Sequence, residues 1–332
     1  MSNDKHIPPG NGKPGPSTTP DVLACRGRRT VHLGDLLFGG SARASGLVIV
    51  VVVLVIGAFL LGNAWQPLLD NTANFFTSTT FDSSSRPPHF GVAALLWTTV
   101  LSSVIALLVA VPVAVGIALL LTQYVGGRFS RWIGFVIDLL AAVPSVIFGL
   151  WGIKVLGPAL QPVAHWLQAH LGWFPLFGST QVTSPGTVFT ASLVLALMIL
   201  PIITAVTRDV FAQTPREQIE AALALGATRW EVIRMAVLPY GRSGATAAAM
   251  LGLGRALGET IAVMLILSAS SFDVSVFSGG ETFASVIARN AAEFDTTYKA
   301  GIYISAGLVL FVLTFAVNAL ARIIAERGKA KS

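Results

Sequence analysis

An arginine and a glutamate four residues apart, Arg255 and Glu259, interrupt the apolar run "GLGRALGETIAV". On a continuous helix that spacing places both on one face. A charge at the bilayer centre costs about 2.5–3.5 kcal/mol on insertion scales, and mutual pairing lowers that cost. Two readings are open. The residues form a structural ion pair that sets the position of the helix, or they line a path in which Arg255 releases Glu259 to meet an anion. The planar fork of an arginine, with its paired donors, suits an oxyanion. Gly254 and Gly258 form a small-xxx-small pair, which predicts close packing of a neighbouring helix. Asp138, in a second apolar run, snorkels to the boundary, pairs, or joins the same path. Thr98, Thr99, Ser102 and Ser103 line up in a third run. Such hydroxyls bond backbone carbonyls in helices, with a path-lining role as the alternative.

A second constellation is polar. "TPREQIEAALALGATRWEVIRMAVLP" (214–239) carries Arg216, Glu217, Glu220, Arg229, Glu231 and Arg234 between two apolar segments. Thr214-Pro215-Arg216-Glu217 reads as a capped helix start with Pro at the first position and a capping box to Glu217. Gly226 reads as the left-handed residue that stops this helix. Thr228-Arg229-Trp230-Glu231 is a second box, opening a helix expected to end at Pro239. Ile219, Ala222 and Leu223 share one face of the first helix, and Trp230, Ile233 and Val237 one face of the second. This helix, glycine turn and helix either packs on its own bundle or serves as a docking element for a soluble partner. The small residues Ala221, Ala222, Ala224 and Gly226 would let a partner groove approach closely.

Other chemistries find little support. "GLGRALG" is G-x-G-x-x-x-G, one residue off a dinucleotide fingerprint, and it lies in an apolar run rather than after a strand. No Walker A pattern is present, so nucleotide must be bound elsewhere. His6, His32, His89, His165 and His170 fall in the tail or in loops, and no HExxH occurs. One cysteine, Cys25, excludes an internal disulfide framework. A membrane enzyme would therefore have little to work with, and no metal site is expected.

The elements that hold these residues follow from composition. The 332 residues are 54% hydrophobic and 11% charged, against about 25% charged in soluble domains. The class is integral membrane and all-α, because backbone groups cannot stay unpaired in lipid. Six spans are expected, at 44–65, 92–121, 132–151, 186–207, 244–268 and 300–321, each near the roughly twenty residues that cross a bilayer. Of the 22 Lys and Arg residues, all but Arg86, Lys154, Arg289, Lys299 and the intramembrane Arg255 fall on one side. The positive-inside rule puts both termini and 214–239 in the cytoplasm, and the net charge of +6 needs no nucleic-acid partner. Residues 1–43, rich in Pro, Gly and Ser, read as a disordered cytoplasmic tail without a cleavable signal, with a small folded segment around "VHLGDLLFGG" as the alternative. Residues 44–332 form the membrane domain. Pro112, Pro144 and Pro201 fall inside spans and are expected to kink them. Residues 152–185, with Trp166, Trp173 and Phe174, read as an outer loop resting partly in the interface, or as a plain linker.

The residues Glu220, Ala221, Ala222, Gly226, Leu238 and Pro239 match the EAA loop of ABC importer permeases, with Ala236 where that family often has Ile. "WTTVLSSVIALLVAVPVAVGIALLLTQY", "LLAAVPSVIFGLWG" and "GRALGETIAVM" resemble the phosphate-specific ABC importer permease, PstC type, more than its PstA partner. The resemblance covers about 90–322. It implies a type I ABC importer permease fold in the plasma (inner) membrane, with 214–239 seated in a cleft of the ATPase subunit and coupling ATP hydrolysis to the membrane gate. It implies a path through Arg255 and Glu259, to which Asp138 is added as a candidate. The implied partners are an ATPase dimer that binds ATP and Mg, a second PstA-type permease, an extracytoplasmic phosphate-binding protein and membrane lipid. No cofactor is expected in this chain. Another oxyanion such as sulfate or molybdate, or a non-transport scaffold, are the alternatives.

Overall fold

The computed structural model describes residues 33–83, 87–178 and 184–329. The chain divides into two compact units, Met1–Val53 and Leu54–Ser332. Among the described residues lie twelve α-helices and one two-stranded antiparallel ladder. They are α1 (Leu33–Asp70), β1 (Phe81–Asp82) paired with β2 (His89–Phe90), α2 (Ala93–Leu119), α3 (Gly127–Ala141), α4 (Ser145–Trp151), α5 (Gly157–Leu171) and α6 (Val188–Ala212). The polar stretch gives α7 (Arg216–Ala224) and α8 (Arg229–Val232). Beyond it lie α9 (Leu238–Gly258), α10 (Ile261–Ile266), α11 (Phe283–Arg289) and α12 (Thr297–Lys329).

Five helical stretches among the described residues are long and apolar enough to span a bilayer: Gly40–Asp70, Ala93–Tyr124, Ser145–Leu171, Val188–Ala212 and Thr297–Ile323. Two expected spans need correction. The helix expected over 132–151 is broken: α3 stops at Ala141 and Pro144 caps α4 with ψ 138°. Proline offers no N–H and disfavours helix in the residue before it. The apolar helix instead starts at Ser145 and runs to Leu171, so much of the expected outer loop is helical and Trp166 lies on it. The run expected over 244–268 is also split. Its helix ends at Gly258, Glu259 is extended (φ −69°, ψ 126°), and six helical residues come after a short break. Rich in Gly and Ala and carrying Arg242 and Arg255, α9 is too polar to count as a span by composition. The tail is corrected as well: residues 1–32 lie outside the described residues, and 33–43 are already helical.

Prolines are absorbed in three ways. Pro112 and Pro201 sit inside unbroken helices, Pro144 caps the start of one, and Pro158 and Pro239 each come just after a π-helical turn. Those turns, Gly152–Leu156 and Ile233–Val237, carry their bonds five residues back, from Gly157 N–H to Gly152 O and from Leu238 N–H to Ile233 O. Widening the turn relieves the clash between a proline ring and the carbonyl four residues earlier. The helix at 229–258 therefore passes through Pro239, where the sequence suggested a stop.

Packing centres on α6. Ala106, Ala110, Ala114 and Ala118, four apart on α2, are all fully buried, as are Val194, Ile199 and Ile203 of α6. Small residues let helix backbones approach, which matters in lipid because apolar burial alone does not drive association there. Thr99 and Ser103 donate to the carbonyls of Leu95 and Thr99 at 2.7 Å each, as expected of helical hydroxyls. The Thr99 hydroxyl also accepts the Phe283 N–H at 3.2 Å, tying α2 to α11. The expected small-residue contact is corrected: a Cβ at Gly254 or Gly258 would meet nothing within 4 Å. The packed glycine is Gly252, on the α9 face shared with buried Ala248 and Ala256, where a Cβ would come 2.7 Å from Ile203.

A close backbone approach joins α4 to α10. A Cβ on Gly149 would lie 2.9 Å from the Ala262 Cα, and one on Gly152 would lie 2.9 Å from the Ile266 side chain. Gly149→Val is therefore expected to destabilise the chain by about 1–3 kcal/mol through overpacking. Gly116→Ala, at an open helical site, should not lower stability. Thermal unfolding of the purified variants in detergent checks both.

Candidate functional site

The polar stretch 214–239 forms two short helices around a left-handed glycine. Gly226 has φ +83°. The Ala227 N–H reaches the Ala222 carbonyl at 3.1 Å and the Gly226 N–H reaches Leu223 at 2.9 Å, which closes the end of α7 as a Schellman motif. The second box forms as expected. The Glu231 carboxylate accepts the Thr228 N–H at 2.7 Å and its hydroxyl at 2.8 Å, while the Glu231 N–H returns to the Thr228 hydroxyl at 3.4 Å. The first box does not form. Thr214 is buried and its hydroxyl donates to the Phe211 carbonyl at 2.9 Å, finishing α6, and Pro215 takes the cap position instead.

No residue of α7 is buried. Glu220 and Ala221 are exposed, Ala222 is half-buried, and Leu225 is 90% exposed. On the other helix Trp230 is exposed whereas Ile233 and Val237 are buried, so the expected shared face is corrected. Ile233 and Val237 are the first and last residues of a π-helical turn, which shifts the phase of the helix after Trp230. Between α7 and that turn opens a cleft of about 590 Å³, lined among others by Ala221, Ala222, Leu225, Gly226 and Met235. Leu238 and Pro239 line a separate apolar groove of about 490 Å³ with Val111, Val115 and Phe211, and Arg242 joins its wall. Arg229 donates to the Gln123 carbonyl at 3.3 Å, which fastens the segment to the π-helical turn Leu120–Tyr124 that follows α2. The arginine was visible in the sequence, but nothing near it in the chain pointed to Gln123.

The charged junction departs from expectation. Arg255, in the last turn of α9, is exposed and has no hydrogen-bond or ion-pair partner among the described residues. Glu259 makes no ion pair with it, and its Oε1 accepts the Ala262 N–H at 3.3 Å at the start of α10. The four-residue spacing brings side chains together only while the helix continues, and α9 ends at Gly258. Asp138 lies exposed on α3, with no hydrogen bond or ion pair to Arg255 or Glu259. Among the described residues no group of three His, Cys, Asp or Glu could hold a metal ion.

Comparison with known proteins agrees with this architecture. The family described as "Binding-protein-dependent transport system inner membrane component" matches residues 110–329. The phosphate transport system permease protein PstC 2 of Mycobacterium tuberculosis is 56% identical over 315 residues, covering 93% of this chain and 97% of that protein. PstC of Mycobacterium leprae is 58% identical over 271 residues, covering 80% and 85%. PstC of Mesorhizobium japonicum is 36% identical over 315 residues, covering 92% and 94%. Among solved structures, an inward-facing methionine ABC transporter superposes with TM-score 0.51 at 15% identity, over 71% of this chain and 96% of that one. A bacterial alginate importer superposes with TM-score 0.52 at 18% identity, over 70% and 78%. The fold is that of a type I ABC importer permease.

The Thr228–Glu231 box yields a prediction. The Thr228 N–H, and after it the Thr228 hydroxyl, hold the Glu231 carboxyl below its ordinary range. Its contribution is therefore intact above the ordinary glutamate pKa of about 4.3 and lost as the pH falls through the lowered value. Thr228→Ala should cost about 1 kcal/mol of local stability. Hydrogen exchange at the Glu231 and Val232 amides should speed up accordingly at neutral pH.

Taken with the polar two-helix segment and the broken α9–α10 junction, these relatives leave one assignment: the chain belongs to the binding-protein-dependent inner membrane transport components and, among them, to the PstC permeases.

Proposed function

We propose that this multi-pass membrane protein is the permease subunit of an ATP-driven importer that moves inorganic phosphate into the cytoplasm across the plasma (inner) membrane. The observation that carries the substrate is 56–58% identity to PstC phosphate permeases over most of the chain. Both termini and the α7–α8 segment face the cytoplasm, in keeping with the distribution of Lys and Arg. A partner ATPase dimer binds ATP and Mg and receives α7 and α8, with Glu220, Ala221, Ala222, Gly226, Leu238 and Pro239 forming the coupling element. A PstA-type second permease completes the path, and an extracytoplasmic binding protein delivers phosphate.

Unpaired and exposed on α9, Arg255 is free to offer its guanidinium fork to a phosphate oxyanion. Glu259 contributes by shaping the turn that presents Arg255 and by holding α10. Asp138 is the weaker candidate for the path, since no described contact links it to either residue.

The test is uptake of radiolabelled phosphate in cells lacking their own phosphate permease, supplied with this chain and its cognate partners. Uptake that resists unlabelled sulfate and molybdate is expected; competition by either would reassign the substrate to another oxyanion. Arg255→Gln should abolish uptake with the complex still assembled. Glu220→Lys should leave the chain in the membrane yet separate ATP hydrolysis from uptake, and normal uptake in that variant would overturn the coupling role.

A further inference from the structure

The outer end of α10 is held by a residue from elsewhere in the chain. Arg289, the last residue of α11, donates through one Nη to the Met264 carbonyl at 3.2 Å and to the Leu267 carbonyl at 2.9 Å. These belong to the C-terminal end of α10, whose last carbonyls lack helical partners and favour a positive charge. Through Nε the same guanidinium pairs with Glu281 at 3.3 Å, the arginine side chain 31% and the glutamate 21% exposed. At the other end of α10 the Glu259 carboxylate accepts the Ala262 N–H. Pressed against Gly149 and Gly152 of the neighbouring helix, α10 has both ends tied by side chains.

We infer that Arg289 is a positioning residue for transport: clamped by Glu281, it fixes α10 and, through α10, the orientation of Glu259 and the end of α9 that carries Arg255. This deepens the phosphate-importer reading and rests on it. Without Arg289 these two carbonyls at the end of α10 would be left without donors. An arginine supplies both bonds and keeps its charge, which a lysine does less well because it lacks the planar fork.

The environment of Glu281 gives the clip a titratable side. Burial pushes its carboxyl above the ordinary range, against the pull of Arg289. Tyr303 of α12 feels its charge, and the Tyr303 hydroxyl bonds Glu293 at 3.2 Å and Ser83 at 2.8 Å. Neither α2 nor α10 contributes an ionisable group. A neutral Glu281, present as the pH falls through its raised value, no longer attracts Arg289 by charge.

The test uses the whole complex. In Arg289→Gln, exchange of the amides at 264–267 should speed up about tenfold, the factor that one charge-assisted hydrogen bond carries. Maximal phosphate uptake should fall by a comparable factor while half-saturation stays within about twofold, and Arg289→Lys should recover part of the rate. Unchanged exchange overturns the clip whatever the substrate proves to be. Faster exchange with full uptake overturns its bearing on transport. If the unaltered complex takes up no phosphate, the substrate reading fails and exchange still decides the clip. Should Arg289→Gln not assemble, Glu281→Gln decides. The ratio of wild-type to Glu281→Gln uptake should depart from one at neutral pH and return to one as the pH falls. A ratio flat with pH overturns the proposal.

Discussion

Hydrocarbon offers no partner to a backbone N–H or C=O, and this one constraint organises the molecule. Wherever a helix stops inside the apolar region, something must take over its unpaired groups. At the α9–α10 junction the Glu259 carboxylate takes a donor at the start of α10. Arg289 supplies donors to two carbonyls at its end. At the start of α11 the Thr99 hydroxyl accepts the Phe283 N–H. Ahead of Pro158 and Pro239 the chain widens by one residue instead, and keeps its ladder at a different spacing. Polar side chains in such a protein thus serve as patches for the backbone as much as contacts for a solute.

The same constraint explains where apolar packing is spent. Lipid is as apolar as leucine, so close approach needs small residues more than large ones. The alanine row of α2 and Gly149, Gly152 and Gly252 supply it, and they cluster on the helices nearest the charged junction. Large residues such as Leu47, Leu108 and Phe315 are left on exposed surfaces. On α7 the pattern is different. Here the exposed residues include charges and small side chains, with Leu225 at the C-cap, which suits a protein surface better than a lipid one.

Much of this was legible in the residues themselves. Long apolar runs, the Gly226 stop and the Thr228–Glu231 box are local, and local chemistry decided them. The exposed position of the polar segment came from its charges. What was illegible depended on tertiary context or on competition between neighbours. Thr214 could cap α7 or close α6, and the second won. Arg255 and Glu259 are spaced for a helical pair, but Gly258 lets the helix end between them. Pro239 looked like a terminus because a π-helical turn leaves no clear mark in a sequence. Contacts such as Arg229 with Gln123 or Arg289 with Met264 join distant segments, and no periodicity could have announced them.

The passage of the helix through Pro239 has a mechanical consequence. From Arg229 to Gly258 the chain is one continuous helical rod, about 45 Å long at the usual rise per residue. Its first turn is α8, the second helix of the exposed polar segment, and its last residue is followed by the extended Glu259. A helix unbroken from one end to the other couples the positions of its two ends, and the change of direction comes only at the far tip. The shape is that of a latch: a long shaft, with the turn at its end, where Glu259 leads into the next element.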